Sequence, residues 1–334
     1  MQRKALALLS GGLDSTLAVK VMLDQGIAVE ALNFISPFCT CTGKNSGCKS
    51  EAVRVAGEFN IPIKVMNKGV DYLEIVRAPK HGYGKGMNPC IDCRIFLLRK
   101  AKEYMVESGA DFVITGEVLG QRPMSQRRDT LNLIERESGL AGLLLRPLSA
   151  RHFNPTIPEL EGWVDRSRLL AFQGRSRKDQ IQLASDLDVK NYPCPAGGCL
   201  LTEVSFVSKV RDIFDHSDSL NLRDFSLLKV GRHFRPGPRT KLIVGRDEAE
   251  NNHLERAVTN GEATLHWLEV SSPVGIVTGE MDESLLRTAA GVLLRYTKAE
   301  KGRECAVRIG AGEHERDISV INSFDDDAIE ALRV

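Results

Sequence analysis

The chain has 334 residues, more than one average domain needs, so we expect two domains. Its formal net charge is +1, with 27% charged and 42% hydrophobic residues, which is the composition of an ordinary globular protein. This balance excludes a strongly basic or acidic chain, so any contact with nucleic acid must come from a local basic patch.

The amino-terminal apolar run is too short for a signal peptide, and no stretch has the length of a membrane span. We therefore expect a cytoplasmic protein, in which thiols stay reduced. In that setting the eight cysteines indicate metal-binding or catalytic groups before they indicate disulfides.

The first predicted element is a buried parallel strand at residues 5–9, followed by Ser-Gly-Gly-Leu-Asp-Ser at 10–15 and then by helical spacing of apolar residues. The glycine pair allows a tight turn, and the helix start supplies unpaired N–H groups and a positive dipole end. This arrangement suits a pyrophosphate. It lacks the lysine of a Walker A loop and the spacing of a dinucleotide-binding loop.

Strands predicted at 28–34, 62–66, 111–115 and 143–146 alternate with helices. The alternation predicts an α/β fold with a doubly wound parallel sheet. Ligands of such sheets bind at the carboxyl ends of the strands, where residues 10–15 lie. Gly116 and Gln121 follow the fourth strand and are expected to face the same side.

Two pairs of cysteines have spacings that indicate metal binding or a redox function. Cys90-x-x-Cys93 precedes a long predicted helix, and Cys194 and Cys199 lie in a turn about a hundred residues later. Spacing alone leaves three alternatives: a four-thiolate zinc site, a three-thiolate iron–sulfur site or a redox pair.

Four further cysteines give weaker signals. They are Cys39, Cys41 and Cys48, which follow the second strand, and Cys305. The first three either border the expected nucleotide pocket, where they would relay sulfur or bind a second metal, or are ordinary loop thiols. Cys305 is predicted to be a core residue.

From about residue 205, strands at 242–245, 264–270, 274–278 and 305–309 alternate with helices at 247–260 and 281–297, which predicts a smaller α+β domain. Residues 229–246 contain no acidic side chain and include an aromatic one, a pattern typical of RNA-backbone binding. The candidate RNA-binding residues are Lys229, Arg232, Arg235, Arg239 and Lys241.

The motif at 10–15 resembles the PP-loop of the ATP pyrophosphatases, which split ATP between the α and β phosphates and transfer AMP to a carbonyl oxygen. The resemblance implies ATP and Mg²⁺ as cofactors, with Asp14 helping to place the metal. The implied nucleotide-binding residues are Ser10, Gly11, Gly12, Asp14, Ser15, Phe34, Gly116 and Gln121.

Cys-x-x-Cys with a later cysteine is similar to the pattern of the tRNA thiolation enzymes. Thr-Gly-Glu-Val-Leu-Gly-Gln at 115–121 resembles the tRNA 4-thiouridine synthases, and Asn-Pro-Cys at 88–90 is similar to the 2-thiouridine synthases. The resemblance implies an ATP-dependent tRNA sulfurtransferase supplied by free sulfide or a cysteine desulfurase. It favours 4-thiouridine, at position 8 of tRNA, over 2-thiouridine.

In cluster-dependent members of that group, a [4Fe-4S] cluster is held by three cysteines. Carried over, the metal ligands would be Cys90, Cys93 and either Cys194 or Cys199, with zinc as the alternative. In cluster-free members one cysteine carries a persulfide and another is its partner, which would engage Cys90 or Cys93 with Cys199. The implied catalytic residues are Asp14, Cys90, Cys93 and Cys199.

Residues 241–251 resemble the RNA-binding domain of the NFACT proteins. We therefore expect a PP-loop sulfurtransferase domain at 1–202 and an NFACT-like RNA-binding domain at 205–334, the latter replacing the THUMP domain of the 4-thiouridine synthases. The alternative is a PP-loop enzyme that adenylates a small molecule and uses a structural zinc or a persulfide.

Overall fold

The computed structural model describes residues 2–40, 48–192, 198–269 and 272–334. The chain divides into two compact units, residues 1–203 and 204–334. In the described part of the chain, no helix is long and apolar enough to cross a membrane.

The first unit alternates strands and helices. Its elements are β1 (Lys4–Leu8), α1 (Leu13–Leu23), β2 (Ala28–Ile35), α2 (Cys48–Glu58), β3 (Ile63–Asn67), α3 (Gly69–Arg77), α4 (Cys90–Ser108), β4 (Phe112–Thr115), α5 (Arg128–Ser138), β5 (Leu144–Leu145), α6 (Ile157–Leu160) and α7 (Lys178–Asp186). The five strands are all parallel, in the order β3-β2-β1-β4-β5. The predicted α/β class with a doubly wound parallel sheet is confirmed.

The central strand β1 is apolar after Lys4 because both of its faces are buried. Ala5 and Ala7 pack into the core on one face, and Leu6 packs into the core on the other. Phe34, near the end of β2, also packs against the second of these cores. A strand covered on both sides has no solvent face, which explains the continuous run of apolar residues.

The second unit has a six-stranded sheet in the order β11-β10-β8-β9-β7-β6, with antiparallel pairing throughout. Its elements are α8 (Val204–His216), α9 (Leu222–Leu227), β6 (Arg232–Gly237), β7 (Thr240–Val244), α10 (Glu248–Ala257), β8 (Ala263–Trp267), β9 (Gly275–Gly279), α11 (Glu283–Arg295), β10 (Glu304–Ala311), β11 (His314–Ile321) and α12 (Asp326–Leu332). Cys305 is 1% exposed in the core of this sheet, as predicted. This unit is the predicted α+β domain.

Candidate active site and RNA-binding surface

The turn between β1 and α1 is held between two other segments. Gly11 has a φ of +78°, and a Cβ placed on it would lie 2.5 Å from Cβ of Glu51 in α2. A Cβ placed on Gly116, directly after β4, would lie 2.4 Å from the carbonyl carbon of Asp14. Both positions therefore require glycine, because a side chain would displace backbone.

This turn lies at the point where the strand order reverses, between the adjacent strands β1 and β4. The hydroxyl of Ser15 donates to the carbonyl of Gly12 at 2.9 Å and accepts from the amide of Ser10 at 3.3 Å. The amides of residues 13–15 open α1 and have no intrahelical acceptor. They point to the crevice in which doubly wound sheets bind ligands, and there they suit an anion.

Asp14 is the acidic group of the turn. Its Oδ2 accepts a hydrogen bond from Gln121 Nε2 at 3.1 Å, and its buried Oδ1 accepts none from the described residues. Burial raises the pKa of this carboxyl, although Arg177, Gln121 and Arg122 oppose the shift. A buried carboxylate oxygen without a partner is a suitable magnesium ligand, so Asp14 fits the implied ion.

Two arginines beside Asp14 could not be assigned from the sequence. A guanidinium nitrogen of Arg177 lies 3.6 Å from Asp14 Oδ2, and Nε of Arg177 is buried without an acceptor among the described residues. The charge of Arg122 lowers the pKa of both the Asp14 carboxyl and the Cys90 thiol, so Arg122 lies near each of these two groups. Both arginines supply the positive charge that a triphosphate requires.

Cys93 lies beside a lysine that sequence reasoning also missed. Lys68 Nζ donates to Cys93 Sγ at 3.2 Å and lies 4.1 Å from the centroid of the Tyr72 ring. Burial alone would raise the pKa of the Cys93 thiol, but the Lys68 ammonium, the Tyr72 hydroxyl and Arg94 lower it below its ordinary value. These neighbours therefore favour the thiolate of Cys93, the form that acts as a nucleophile.

Cys199 belongs to the same group of thiols. Burial raises the pKa of its thiol to about 11, and the nearby charges of Cys93 and Cys39 add to the shift. Burial also raises the pKa of Cys90, whose other neighbours are Arg122 and Arg94. The structure thus places Cys93 and Cys199 near Lys68 and Tyr72, and places Cys90 near Cys93, Arg122 and Arg94.

The described residues do not make the three-thiolate site that the cluster-dependent enzymes imply. In the described ranges, no three Cys, His, Asp or Glu side chains are grouped closely enough to hold a metal ion. Two thiols relevant to the prediction, Cys194 and Cys41, lie outside the described residues, and so does the side chain of Cys48. The cluster therefore stays a prediction.

The predicted RNA-binding residues occupy different environments. Arg235 and Lys241 are engaged with Asp212 of α8, at 2.6 Å and 2.7 Å. Arg232 lies 4.6 Å from the centroid of the Tyr296 ring. Arg239 is 75% exposed and lies 3.8 Å from Glu280, whereas Lys229 is half-buried. Arg239 is therefore the most accessible of the five charges.

The turn, its glycines and the reversal of strand order together define a PP-loop protein. Residues 1–154 match the family model described as "Thiamine biosynthesis protein (ThiI)". Residues 231–333 match the model described as "NFACT protein RNA binding domain". The chain therefore combines a PP-loop domain of the ThiI type with an RNA-binding domain of the NFACT type.

Individual proteins are similar to parts of the chain. A "Probable tRNA sulfurtransferase" of Ureaplasma parvum is 26% identical over 204 residues, which cover 55% of this chain and 49% of the relative. A "tRNA-specific 2-thiouridylase MnmA" of Clostridium acetobutylicum is 32% identical over 131 residues, which cover 35% of this chain and 36% of the relative. The chain thus spans about half the length of the first relative and about a third of the second.

A solved structure, "Crystal structure of a 4-thiouridine synthetase - RNA complex with bound ATP", is 21% identical to this chain. The similarity has a TM-score of 0.38 and covers 68% of this chain and 52% of that one.

Proposed function

We propose that the protein is an ATP-dependent tRNA sulfurtransferase, which adenylates a uridine carbonyl oxygen and replaces that oxygen with sulfur. The observation that carries this proposal is the position of Arg122. Its charge lowers the pKa of both Asp14 of the PP-loop and Cys90, which supports a site shared by the phosphate-binding turn and the Cys90 thiol. The names of the similar proteins support tRNA as the substrate.

The activation step follows from the residues of the turn. The amides of residues 13–15 and the hydroxyls of Ser10 and Ser15 bind phosphate oxygens, and Arg177 and Arg122 neutralise the charge that develops as pyrophosphate leaves. Asp14 would hold Mg²⁺, which supplies Lewis-acid stabilisation of the phosphates. A uracil carbonyl is amide-like and its oxygen leaves poorly, whereas AMP is a good leaving group.

The sulfur step is assigned to cysteines. The terminal sulfur of a persulfide on Cys93 attacks the activated carbon, and the carbon–oxygen bond breaks as AMP leaves with its electron pair. Cys199 then attacks Sγ of Cys93, which forms a Cys93–Cys199 disulfide and leaves the outer sulfur on the base. The proximity of Lys68 to Cys93 supports this assignment because the ammonium stabilises the sulfur anion.

The proposal also includes which carbonyl of the uridine is replaced by sulfur. Resemblance at residues 115–121 favours 4-thiouridine over 2-thiouridine, and both kinds of chemistry occur in the names of similar proteins. Free sulfide or a cysteine desulfurase would supply the sulfur.

The experiment that tests the function is reconstitution with unmodified tRNA, ATP, Mg²⁺ and a persulfide-generating desulfurase. We expect one AMP and one pyrophosphate per thiolated uridine, with the nucleoside identified by chromatography and mass spectrometry. Pyrophosphate release without any need for tRNA would instead indicate a small-molecule substrate. Absence of both AMP and a thiolated nucleoside would overturn the proposal.

Anaerobic purification tests the cluster separately from the function. Iron and sulfide bound in stoichiometric amounts, with broad visible absorbance, would support the predicted [4Fe-4S] cluster. A colourless protein that contains zinc would support the alternative, and an active protein without either metal would support the persulfide route.

If residues 229–246 bind RNA, the exposed Arg239 should contribute more to tRNA affinity than an exposed arginine elsewhere in the second unit. Arg239→Ala is expected to weaken tRNA binding and to reduce the slope of log affinity against log salt by about 1, as the loss of one phosphate contact does. Filter binding over a series of salt concentrations measures both quantities. The matched control is Arg303→Ala, an exposed arginine outside residues 229–246, which should leave affinity and slope unchanged. Equal losses in the two variants would contradict the assignment.

A further inference from the structure

Cys39, which the mechanism above does not use, lies directly opposite Cys199. The two residues form an isolated antiparallel β-bridge. The amide of Leu200 donates to the carbonyl of Phe38 at 2.9 Å, while the Cys39 amide donates to Ser36 and the Cys199 carbonyl accepts from Thr202. The bond between Leu200 and Phe38 joins the residues next to the pair, which is the pattern of a non-hydrogen-bonded antiparallel pair.

Such a non-hydrogen-bonded antiparallel pair has a definite geometry. Its Cα atoms lie about 4.5 Å apart, and its side chains extend from the same face. A disulfide requires a Cα separation of about 4.4–6.8 Å, so this pair lies at the short end of that range. The backbone can therefore accept a disulfide between Cys39 and Cys199 with little movement.

The Cys39–Cys199 pair also lies near Cys93, the thiol that accepts a hydrogen bond from Lys68. Burial and the nearby charges of Cys93 and Cys39 raise the pKa of the Cys199 thiol, and burial and the charges of all three cysteines raise the pKa of Tyr72. Cys199 is thus the common neighbour of the other two. A disulfide that forms between Cys93 and Cys199 can be passed to Cys39 by attack on Sγ of Cys199.

We propose that Cys39 is a further thiol of this site, which pairs with Cys199 as a dithiol–disulfide couple and returns Cys93 to its thiolate form after sulfur transfer. The Cys39 thiolate attacks Cys199 Sγ, the Cys39–Cys199 bond forms, and the Cys93–Cys199 bond breaks with its electron pair on Cys93. Lys68 makes Cys93 the better leaving group because a stabilised thiolate leaves faster. A low-molecular-weight dithiol then reduces the couple and becomes the cyclic disulfide.

The pairing stands on the geometry alone, whereas its place in the reaction rests on the proposed function. The first experiment treats the reduced full-length protein with glutathione disulfide, blocks the remaining thiols and maps linked peptides by mass spectrometry. We expect a Cys39–Cys199 link, which persists in Cys90→Ser and is lost in Cys39→Ser. No link, or a link of Cys39 to Cys41 or Cys48 in its place, would overturn the pairing.

The second experiment follows a single turnover of persulfide-loaded protein without reductant. We expect a Cys39–Cys199 disulfide in the natural protein and a trapped Cys93–Cys199 disulfide in Cys39→Ser, whose fold is checked by circular dichroism. A thiolated tRNA together with a Cys93–Cys199 disulfide in the natural protein would overturn the role of Cys39. Failure to thiolate tRNA, with the Cys39–Cys199 link still formed by glutathione disulfide, would overturn the proposed function and leave the pairing intact.

Discussion

Asp14→Asn is expected to lower the rate of AMP formation by about 100-fold or more, because a neutral amide cannot hold the cation that stabilises the departing phosphates. The substitution is nearly isosteric and keeps an oxygen for the hydrogen bond from Gln121. AMP and pyrophosphate release under saturating ATP and tRNA measures the effect. The exposed carboxylate Asp129 provides the control, since Asp129→Asn removes one negative charge far from the turn in sequence and should leave the rate unchanged.

The melting temperature of Asp14→Asn shows whether Asp14 acts in catalysis or stabilises the fold. Burial raises the pKa of Asp14 in the folded state, so the folded protein binds the proton more tightly than the unfolded chain does. The stability that protonation contributes is present at low pH and is lost as the pH rises through the raised pKa. In the absence of nucleotide and metal, Asp14→Asn should therefore melt at the same temperature as the natural protein or higher at pH 7. A large fall in melting temperature would show that Asp14 is structural.

The architecture of the first unit was predictable because its signals are local. A buried strand, a glycine pair and a helix start follow one another within residues 5–22, and a parallel sheet then requires the other strand ends to lie beside them. Gln121 illustrates this, since its position after β4 was sufficient to place it beside the turn, where it bonds Asp14.

Residues that reach the site from outside these motifs could not be predicted. Arg177 is one of several basic residues in its stretch, and only the packing of the segment before α7 brings it to Asp14. Lys68 is an ordinary cation at the start of α3, and nothing in the sequence pairs it with Cys93. Their roles depend on contacts between elements distant in sequence, which no spacing pattern encodes.

For the basic stretch at 229–246, the sequence predicts more unpaired positive charge than the folded unit has. Its lack of acidic residues indicates an uncompensated cationic surface, but a sequence window cannot include a partner that arrives from another helix. Asp212 comes from α8 and takes the charges of both Arg235 and Lys241. Charge counted along the chain therefore overstates the positive charge that this surface presents to solvent.

Gly116→Ala is expected to be among the most damaging single-methyl changes in the first unit. Its Cβ would lie 2.4 Å and 2.5 Å from the carbonyl carbon and oxygen of Asp14, and all of these neighbours are backbone atoms that cannot rotate away. The PP-loop or the end of β4 must move, at a cost of about 3 kcal/mol in the free energy of unfolding. Since the moved atoms belong to the phosphate-binding turn, AMP formation should also fall by at least about tenfold.

Urea denaturation followed by the fluorescence of Trp163 in a Trp267→Phe background, together with the pyrophosphate assay, measures both effects. The matched control is Gly57→Ala in α2, where a Cβ meets no atom within 4 Å and the backbone is helical. That substitution should raise the free energy of unfolding by about 0.5–1 kcal/mol, because alanine favours a helix over glycine, and should leave the rate unchanged. If Gly116→Ala behaved like Gly57→Ala, the end of β4 would not be the rigid support of the PP-loop, and the placement of Asp14 would need another cause.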